Sequence, residues 1–340
     1  MRIALLGAGA MGTIIGALIT EKGYDIELID NYEDHVNTLA QKGAKIIGGI
    51  ERTIPVKAIL PAGVSGKYDL ILSLTKHGAI VESLEAIKPY THEHTIVLTL
   101  QNGMPEEKSK TVFPSRNLMG GGMEFSGTFI GPGVTKLASS EDTLGISFGS
   151  YEGPITQEVL DVKQVLACVG HVEITDNLRG VRWTKLSDNS TFSGFQTALG
   201  CTVGEILDDD QAMDCIAEIG MECARVISAQ GVVPVELFGL LPSPERVCFK
   251  TPEEKERVKA YWIQVYSPYR AQIASMLQDL RNGKKCEIDN INGETVRIAD
   301  KVGVAVPFNK KIVEVITKLQ NKELELDQAW DNLKEFRKLI

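Results

Sequence analysis

A glycine pattern at the start of the chain most constrains its fold. The apolar run Ile3–Leu6 leads directly into GAGAMG, and small and apolar residues then continue to Glu21. A buried strand, a GxGxxG loop and a helix in this order predict a dinucleotide-binding βαβ unit, whereas the same glycines without that context are a weak signal. The alternative is a glycine-rich turn with a structural role only. The candidate cofactor-binding residues of the loop are Gly7, Ala8, Gly9, Ala10, Met11 and Gly12.

Each glycine of this loop has a separate expected role. Gly7 permits a tight turn, Gly9 lets the backbone approach a pyrophosphate, and Gly12 lets the helix pack close to the strand. The helix N-terminus offers unpaired N–H groups and a positive dipole to the phosphates.

Asp30 ends the second apolar run, Ile26–Ile29, about 20 residues after the loop. A carboxylate there hydrogen-bonds the ribose 2′-hydroxyl of NAD and repels the 2′-phosphate of NADP. No arginine follows at once, because the next residues are Asn31 and Tyr32. The sequence therefore favours NAD(H), with NADP(H) left open. Alternatively, Asp30 caps the following helix.

Further apolar runs at 68–74 and 95–100 alternate with helical patterns. This alternation predicts an α/β fold with a Rossmann-type, doubly wound parallel sheet. The glycine-, serine- and threonine-rich stretch 117–149 predicts antiparallel hairpins at the end of the sheet. Strand signals stop near Asp176, so we expect a dinucleotide-binding domain over 1–175 and an all-helical substrate domain over 176–340.

Several helix boundaries of the second domain can be read directly. The acids at 208–210 precede one helix, and Thr251 followed by Pro252 begins another. Helices are also expected over 271–282 and 288–302, and Asn309 is expected to cap a last helix ending near Leu319.

Composition excludes several classes of protein. The 340 residues are enough for two domains, and the formal net charge is -9. We expect no nucleic-acid partner because a basic footprint is absent. No run reaches the roughly 18 apolar residues of a membrane helix, and no signal-peptide pattern opens the chain. The expected location is cytoplasmic. No Cys/His spacing indicates a metal site.

Motifs spread over nearly the whole chain give it a family resemblance. After the glycine loop come Thr75-Lys76, the LQNG at 100–103, the KLSDN at 185–189, and a long block that includes SMLQD at 275–279, EID at 287–289 and ING at 291–293. A tail from Gly303 to Pro307 and Asn309 completes the set. In these motifs the chain resembles the ketopantoate reductase (2-dehydropantoate 2-reductase) family.

The resemblance implies an activity and a set of roles. The activity is NAD(P)H-dependent reduction of a 2-oxo acid to a 2-hydroxy acid, foremost ketopantoate to pantoate. Lys185 matches the catalytic lysine that protonates the developing alkoxide, and Glu287 matches the acid that hydrogen-bonds the substrate beside the cofactor. Asn102 matches the asparagine that helps hold lysine, cofactor and substrate together. The remaining matches are Asn189 and Ser275 to substrate-binding residues and Lys76 to a lysine near the cofactor.

The spacing of these residues supports the same chemistry. Lys185, Asn189 and Ser193 lie at i, i+4 and i+8, which places them on one helix face. Gln272 and Ser275 belong to a second polar stripe with Asp279. A lysine in a partly desolvated cleft can act as a general acid, and its charge stabilises an alkoxide as it forms.

Each residue also has a structural alternative. Lys185 could pair with Asp188 or Asn189 on an exposed helix, and Glu287 could be a helix-start acid. Ser275 could be a helix-face hydroxyl, and Asn102 a turn residue, since Asn-Gly favours turns. The histidines are expected on the surface or in loops: His77, His92, His94 and His171.

The chain departs from the family at two substrate positions. Ser193-Gly194 stands where Asn-Pro is usual, Gln272 stands where Asn is common, and the segment 237–269 is longer than usual. These changes, with Asp30, favour an alternative: an NAD-dependent D-2-hydroxy-acid dehydrogenase of the same family acting on another branched or aromatic 2-oxo acid. A non-catalytic dinucleotide sensor is the third reading, against which Lys185 and Glu287 argue. The expected partners are a small 2-oxo acid and a second copy in a homodimer.

Overall fold

The computed structural model describes residues 1–237 and 239–340 and divides into two compact units. The first unit is Met1–Leu178 and the second is Arg179–Ile340. The sequence predicted a division after residue 175. No helix of the described residues combines the length and apolar character needed to cross a membrane.

The first unit is built on an eight-stranded sheet. Its strands are β1 (Arg2–Leu6), β2 (Asp25–Ile29), β5 (Lys57–Ile59), β6 (Tyr68–Ser73), β7 (Thr91–Thr99), β8 (Leu118–Met123), β11 (Gly145–Ser150) and β12 (His171–Ile174). The spatial order is β12-β11-β8-β7-β6-β1-β2-β5. From β5 to β8 every neighbouring pair is parallel, and only the β8–β11 pair is antiparallel. The doubly wound sheet predicted from the alternation of strands and helices is confirmed.

Both faces of this sheet are buried, which explains the continuous apolar runs of its strands. Ile3 and Leu5 belong to the apolar core on one face, and Ala4 and Leu6 belong to the core on the other. The helices of the unit are α1 (Ala10–Glu21), α2 (Glu33–Lys42), α3 (Ile80–Ile87), α4 (Glu106–Ser109) and α5 (Gln157–Leu166).

A second, four-stranded sheet accounts for part of the stretch predicted as hairpins. Its strands are β3 (Ala44–Gly48), β4 (Arg52–Ile54), β9 (Gly127–Gly131) and β10 (Val134–Leu137), in the order β4-β3-β10-β9. Only β9 and β10 form a hairpin there, and it belongs to this separate sheet. β8 pairs antiparallel with β11 near the end of the main sheet, as predicted for this stretch, but the two strands do not form a hairpin and β8 also pairs parallel with β7. Pairing partners distant in the chain decided the outcome.

The regular secondary structure in the described residues of the second unit is helical, apart from one isolated bridge between Leu237 and Leu240. Its helices are α6 (Leu178–Asp188, whose first residue closes the first unit), α7 (Gly194–Leu199), α8 (Val203–Leu207), α9 (Asp210–Ala229), α10 (Pro244–Val247), α11 (Pro252–Tyr266), α12 (Ser275–Arg281), α13 (Asn292–Val302), α14 (Pro307–Gln320) and α15 (Leu333–Arg337). Local capping explains the starts that the sequence predicted. Thr251 and Glu254 form a capping box at α11, and Asp209 caps α9.

Three boundaries differ from the prediction. α12 begins at Ser275, and a 3₁₀ turn over Ile288–Asn290 precedes α13. Asn309 is not a cap, because α14 already begins at Pro307 and Asn309 is buried in its first turn.

A carboxylate from α9 caps α14 instead. Glu222 accepts hydrogen bonds from the backbone N–H groups of Phe308 and Asn309, at 2.8 and 3.0 Å, and from Asn309 Nδ2 at 2.8 Å. Burial raises the pKa of Glu222 to about 7, although these three donors act in the opposite direction. Glu222 therefore takes up its proton near neutrality in the folded protein.

This raised pKa makes stability fall as pH rises. Between the ordinary glutamate pKa and pH 7 the folded state binds more protons at Glu222 than the unfolded state, so the contribution is complete at low pH and is lost toward pH 8. We expect the unfolding free energy of the wild type, relative to Glu222→Gln, to fall by roughly 3 kcal/mol from pH 5 to pH 8. Denaturant unfolding at several pH values measures it, and a pH-independent difference would contradict the assignment.

Candidate functional site

The glycine loop has two positions at which a β-carbon would not fit. Gly7 follows β1 with φ +90°, and a β-carbon there would lie 2.7 Å from the Thr75 backbone nitrogen. A β-carbon on Gly12 would overlap the Gly7 carbonyl oxygen. The fold itself therefore requires glycine at both positions.

Gly9 is different, because neither packing nor backbone strain requires glycine there. Its φ is -60°, and a β-carbon would meet no atom within 4 Å. It is the N-cap of α1, which has no side-chain cap and no acid in its first turn. Bare backbone N–H groups beside open space suit a pyrophosphate, so the loop fits a dinucleotide.

His35 is a part of this loop that the sequence analysis missed. Its Nδ1 accepts the Gly133 N–H at 2.9 Å, so the ring proton lies on Nε2, which donates to the Ala8 carbonyl at 2.6 Å. Thr13 Oγ1 donates to the same carbonyl at 2.6 Å. The buried imidazole therefore fixes the loop backbone from α2. No local pattern reveals this, since both backbone partners are distant in sequence.

Asp30 lies directly after β2 and is half-buried. Its Oδ1 accepts the Tyr32 N–H at 2.9 Å. α2 begins at Glu33, directly after Tyr32, and has no side-chain cap. Asp30 therefore closes a short turn before the helix. Among the described residues only Oδ1 is hydrogen-bonded, and Oδ2 can receive another donor.

Lys76 follows β6, the strand next to β1, and Asn102 follows β7, the strand next to β6. Lys76 is exposed and Asn102 is half-buried. The carboxyl ends of these parallel strands share the sheet edge that carries the glycine loop, which is where ligands bind in such sheets. His77 Nε2 lies 2.8 Å from the Asn102 carbonyl oxygen. His77 was predicted on the surface or in a loop; it is buried and begins the 3₁₀ turn His77–Ala79 after β6, so it does not lie on the surface.

Lys185 lies in the last turn of α6 in the second unit. Its Nζ donates to Asp188 Oδ2 at 2.9 Å, and the two side chains are 21% and 17% exposed. The ion pair named as an alternative therefore forms, but in a largely buried setting. A proton-carrying group and a carboxylate are held together by one helical turn.

The chain after Asp188 leaves α-helical geometry. Asn189–Ser193 is a π-helical segment before α7, so the i, i+4, i+8 face predicted for one α-helix is interrupted. Ser193 Oγ donates to Asn189 Oδ1 at 3.3 Å. Asn189 is 8% exposed, and its Nδ2 has no hydrogen-bond partner among the described residues. π-Helical turns are frequent at functional sites.

Two asparagines hold this π-helical segment. Asn292 Nδ2 donates to the Ser190 carbonyl at 2.8 Å and to Asn309 Oδ1 at 2.9 Å, and Asn309 in turn donates to Glu222. Both asparagines occur in the sequence motifs; Asn292 had no predicted role, and Asn309 was predicted only as a helix cap. The structure shows that they connect α9, α13 and α14 to the segment that carries Asn189.

The remaining candidates lie around α12. Ser275 is its exposed first residue. Gln272 precedes the helix, so the predicted helical stripe does not include it. Its side chain is exposed, while its carbonyl accepts Gln196 Nε2 at 2.6 Å. Glu287 is half-buried at the N-cap position of the 3₁₀ turn and makes no side-chain cap hydrogen bond there.

Comparisons with known proteins agree with both units. Residues 3–152 match the model of "Ketopantoate reductase PanE/ApbA", and residues 177–320 match that of its C-terminal domain. A 2-dehydropantoate 2-reductase from Pyrococcus horikoshii is 30% identical over 316 residues, which cover 91% of this chain and 94% of the relative.

Two solved structures share the fold. A 2-dehydropantoate 2-reductase from Geobacter metallireducens has a TM-score of 0.78 at 25% identity, covering 94% of this chain and 99% of that one. D-mandelate dehydrogenase with NADH and anilino(oxo)acetate has a TM-score of 0.82 at 24% identity, covering 96% and 100%. The chain belongs to the ketopantoate reductase family and is an NAD(P)-dependent oxidoreductase acting on CH–OH groups, in a family that reduces 2-oxo acids.

Proposed function

We propose that this protein reduces ketopantoate to pantoate with Lys185 as the proton donor. The observation that carries the proposal is that a largely buried ammonium and a buried amide donor lie four residues apart in the chain. Lys185 is held by Asp188, and Asn189 presents an Nδ2 that has no partner among the described residues. A positive charge beside a neutral donor suits a 2-oxo acid, which carries a carbonyl and a carboxylate.

The reduction needs a hydride at the carbonyl carbon and a proton at the carbonyl oxygen. A nicotinamide held at the loop of residues 7–12 would supply the hydride. Lys185 gives its proton to the oxygen as the C=O bond becomes a C–O bond, and the neutral amine regains a proton from solvent. Such acid assistance is worth about 10²–10⁴ in rate.

The other residues have binding roles in this proposal. Asn189 and Ser275 donate to the substrate, with Ser193 and Gln272 at the two positions where the chain departs from the family. Glu287 and Asn102 contact both substrate and cofactor, and Lys76 contacts the cofactor. The cofactor loop is residues 7–12, with NAD(H) favoured because Oδ2 of Asp30 can accept a ribose hydroxyl.

A second candidate is an NAD-dependent D-2-hydroxy-acid dehydrogenase. Ser193 is smaller than asparagine and is already hydrogen-bonded to Asn189, and Gln272 is exposed before the start of α12. Two amide groups expected in a ketopantoate site are thereby changed. The similar fold of D-mandelate dehydrogenase makes an aromatic 2-oxo acid the natural test substrate.

Initial rates with ketopantoate and with branched and aromatic 2-oxo acids separate these candidates. We expect Lys185→Ala to lower kcat by about 10²–10⁴ while the dissociation constant of the dinucleotide stays within about twofold. Lys185→Arg is the matched control, because it keeps the charge and loses the transferable proton. Wild-type kcat in Lys185→Ala would refute the acid role. If no 2-oxo acid is turned over, both enzyme candidates are refuted and the non-catalytic dinucleotide sensor remains.

Asp30 should decide between the two nicotinamide cofactors. We expect the wild type to bind NADH more tightly than NADPH, since a carboxylate repels the 2′-phosphate. In Asp30→Asn the ratio of the NADPH dissociation constant to the NADH dissociation constant should fall at least tenfold, mainly because NADPH binds more tightly. Titration of each cofactor by fluorescence measures both constants. A wild type that prefers NADPH would disprove the role given to Asp30.

Gly9→Ala separates cofactor binding from folding. Since a β-carbon there meets no protein atom, the melting temperature should stay unchanged, while dinucleotide affinity should fall at least tenfold. Gly131→Ala is the matched control, because Gly131 also has open space and lacks a positive φ. Equal affinities of the two variants would argue against binding at this loop.

A further inference from the structure

Asp188 connects Lys185 to a second helix. Its Oδ2 accepts the Lys185 ammonium at 2.9 Å, and its Oδ1 accepts the hydroxyl of Tyr266 at the end of α11. Both oxygens of one carboxylate are therefore engaged, one by a charged donor and one by a neutral donor.

Tyr266 is firmly held where it donates. It is 6% exposed, and its ring stacks on Phe192 of the π-helical segment with centroids 3.6 Å apart. Trp262 packs beside both rings. Burial, and then the negative charge of Asp188, raise the pKa of Tyr266 well above its ordinary value. The hydroxyl thus keeps its proton and can only donate to Asp188.

We propose that Asp188, held by Tyr266, is a positioning residue that orients the Lys185 ammonium and sets the pH at which Lys185 releases its proton. The inference rests on the proton-donor role proposed above for Lys185. It adds two residues, from α6 and α11, that do not themselves touch the substrate.

The two residues should act in opposite directions. A carboxylate beside an ammonium favours the charged form of the ammonium. A hydrogen bond to that carboxylate draws negative charge away from the lysine, so Tyr266 weakens the effect. The phenols Tyr261 and Tyr269 also act on Tyr266.

The test follows Lys185 directly in the full-length protein. Lysine labelled with ¹³C at the ε-carbon gives an NMR signal for Lys185, assigned by its disappearance in Lys185→Arg. The midpoint of its alkaline titration is measured in the wild type, Asp188→Asn and Tyr266→Phe. The alkaline limb of kcat for 2-oxo acid reduction is recorded in the same variants.

Asp188→Asn should lower both midpoints by about 1 pH unit, and Tyr266→Phe should raise them by about half a unit. Phenylalanine keeps the ring that stacks on Phe192, so this variant tests the inference even if Asp188→Asn fails to fold. Tyr261→Phe is the matched control: it removes a hydroxyl from the same helix that bonds to Leu241 rather than to Asp188, and should leave the midpoints unchanged.

Unchanged NMR midpoints, or shifts of the same sign in the two variants, would overturn the inference. This outcome is distinct from failure of the proposed function, which appears as undiminished turnover in Lys185→Ala. Opposite shifts in the NMR titration would support the electrostatic roles of Asp188 and Tyr266 independently of any assay.

Discussion

The close approach of α1 to the end of β1 is the constraint on which the dinucleotide loop depends. Gly12 lies against the Gly7 carbonyl with no room for a side chain. The loop is also held from its other side, because His35 and Thr13 both donate to the Ala8 carbonyl. The N-terminus of α1 is therefore fixed before any ligand arrives. Such preorganisation reduces the ordering cost of binding.

Features encoded locally could be predicted from the sequence. Apolar runs that alternate with helical patterns were enough for the doubly wound sheet, and the capping box of Thr251 lies within one helical turn. The sequence failed where distant partners decide. Asn309 resembles a cap, yet its role comes from Glu222, 87 residues away in sequence. His35 meets Gly133 across 98 residues. No window of neighbouring residues contains either interaction.

The candidate site shows the same division. The loop residues and Asp30 lie where strand ends place them, so their positions could be predicted. The prediction that Lys185 and Ser193 share one α-helical face was wrong, because the chain adopts π-helical geometry after Asp188. Within this π-helical segment, the Ser190 carbonyl accepts a hydrogen bond from Asn292 Nδ2. The family motifs contain Asn292, but only the fold explains what its amide does.

Two carboxylates of the second unit show how surroundings separate structural from chemical roles. Glu222 is almost fully buried and receives only neutral N–H donors, so burial dominates and its pKa rises to about 7. Asp188 retains some exposure and faces a cation, which compensates its charge. A buried carboxylate with no cation can hold a helix end, but it loses charge near neutrality. Asp188 is instead paired with the Lys185 ammonium, the group proposed as the acid. In the role proposed for Lys185, a Tyr266 hydroxyl that limits this attraction is an advantage, because a lysine held too strongly would be a poor proton donor.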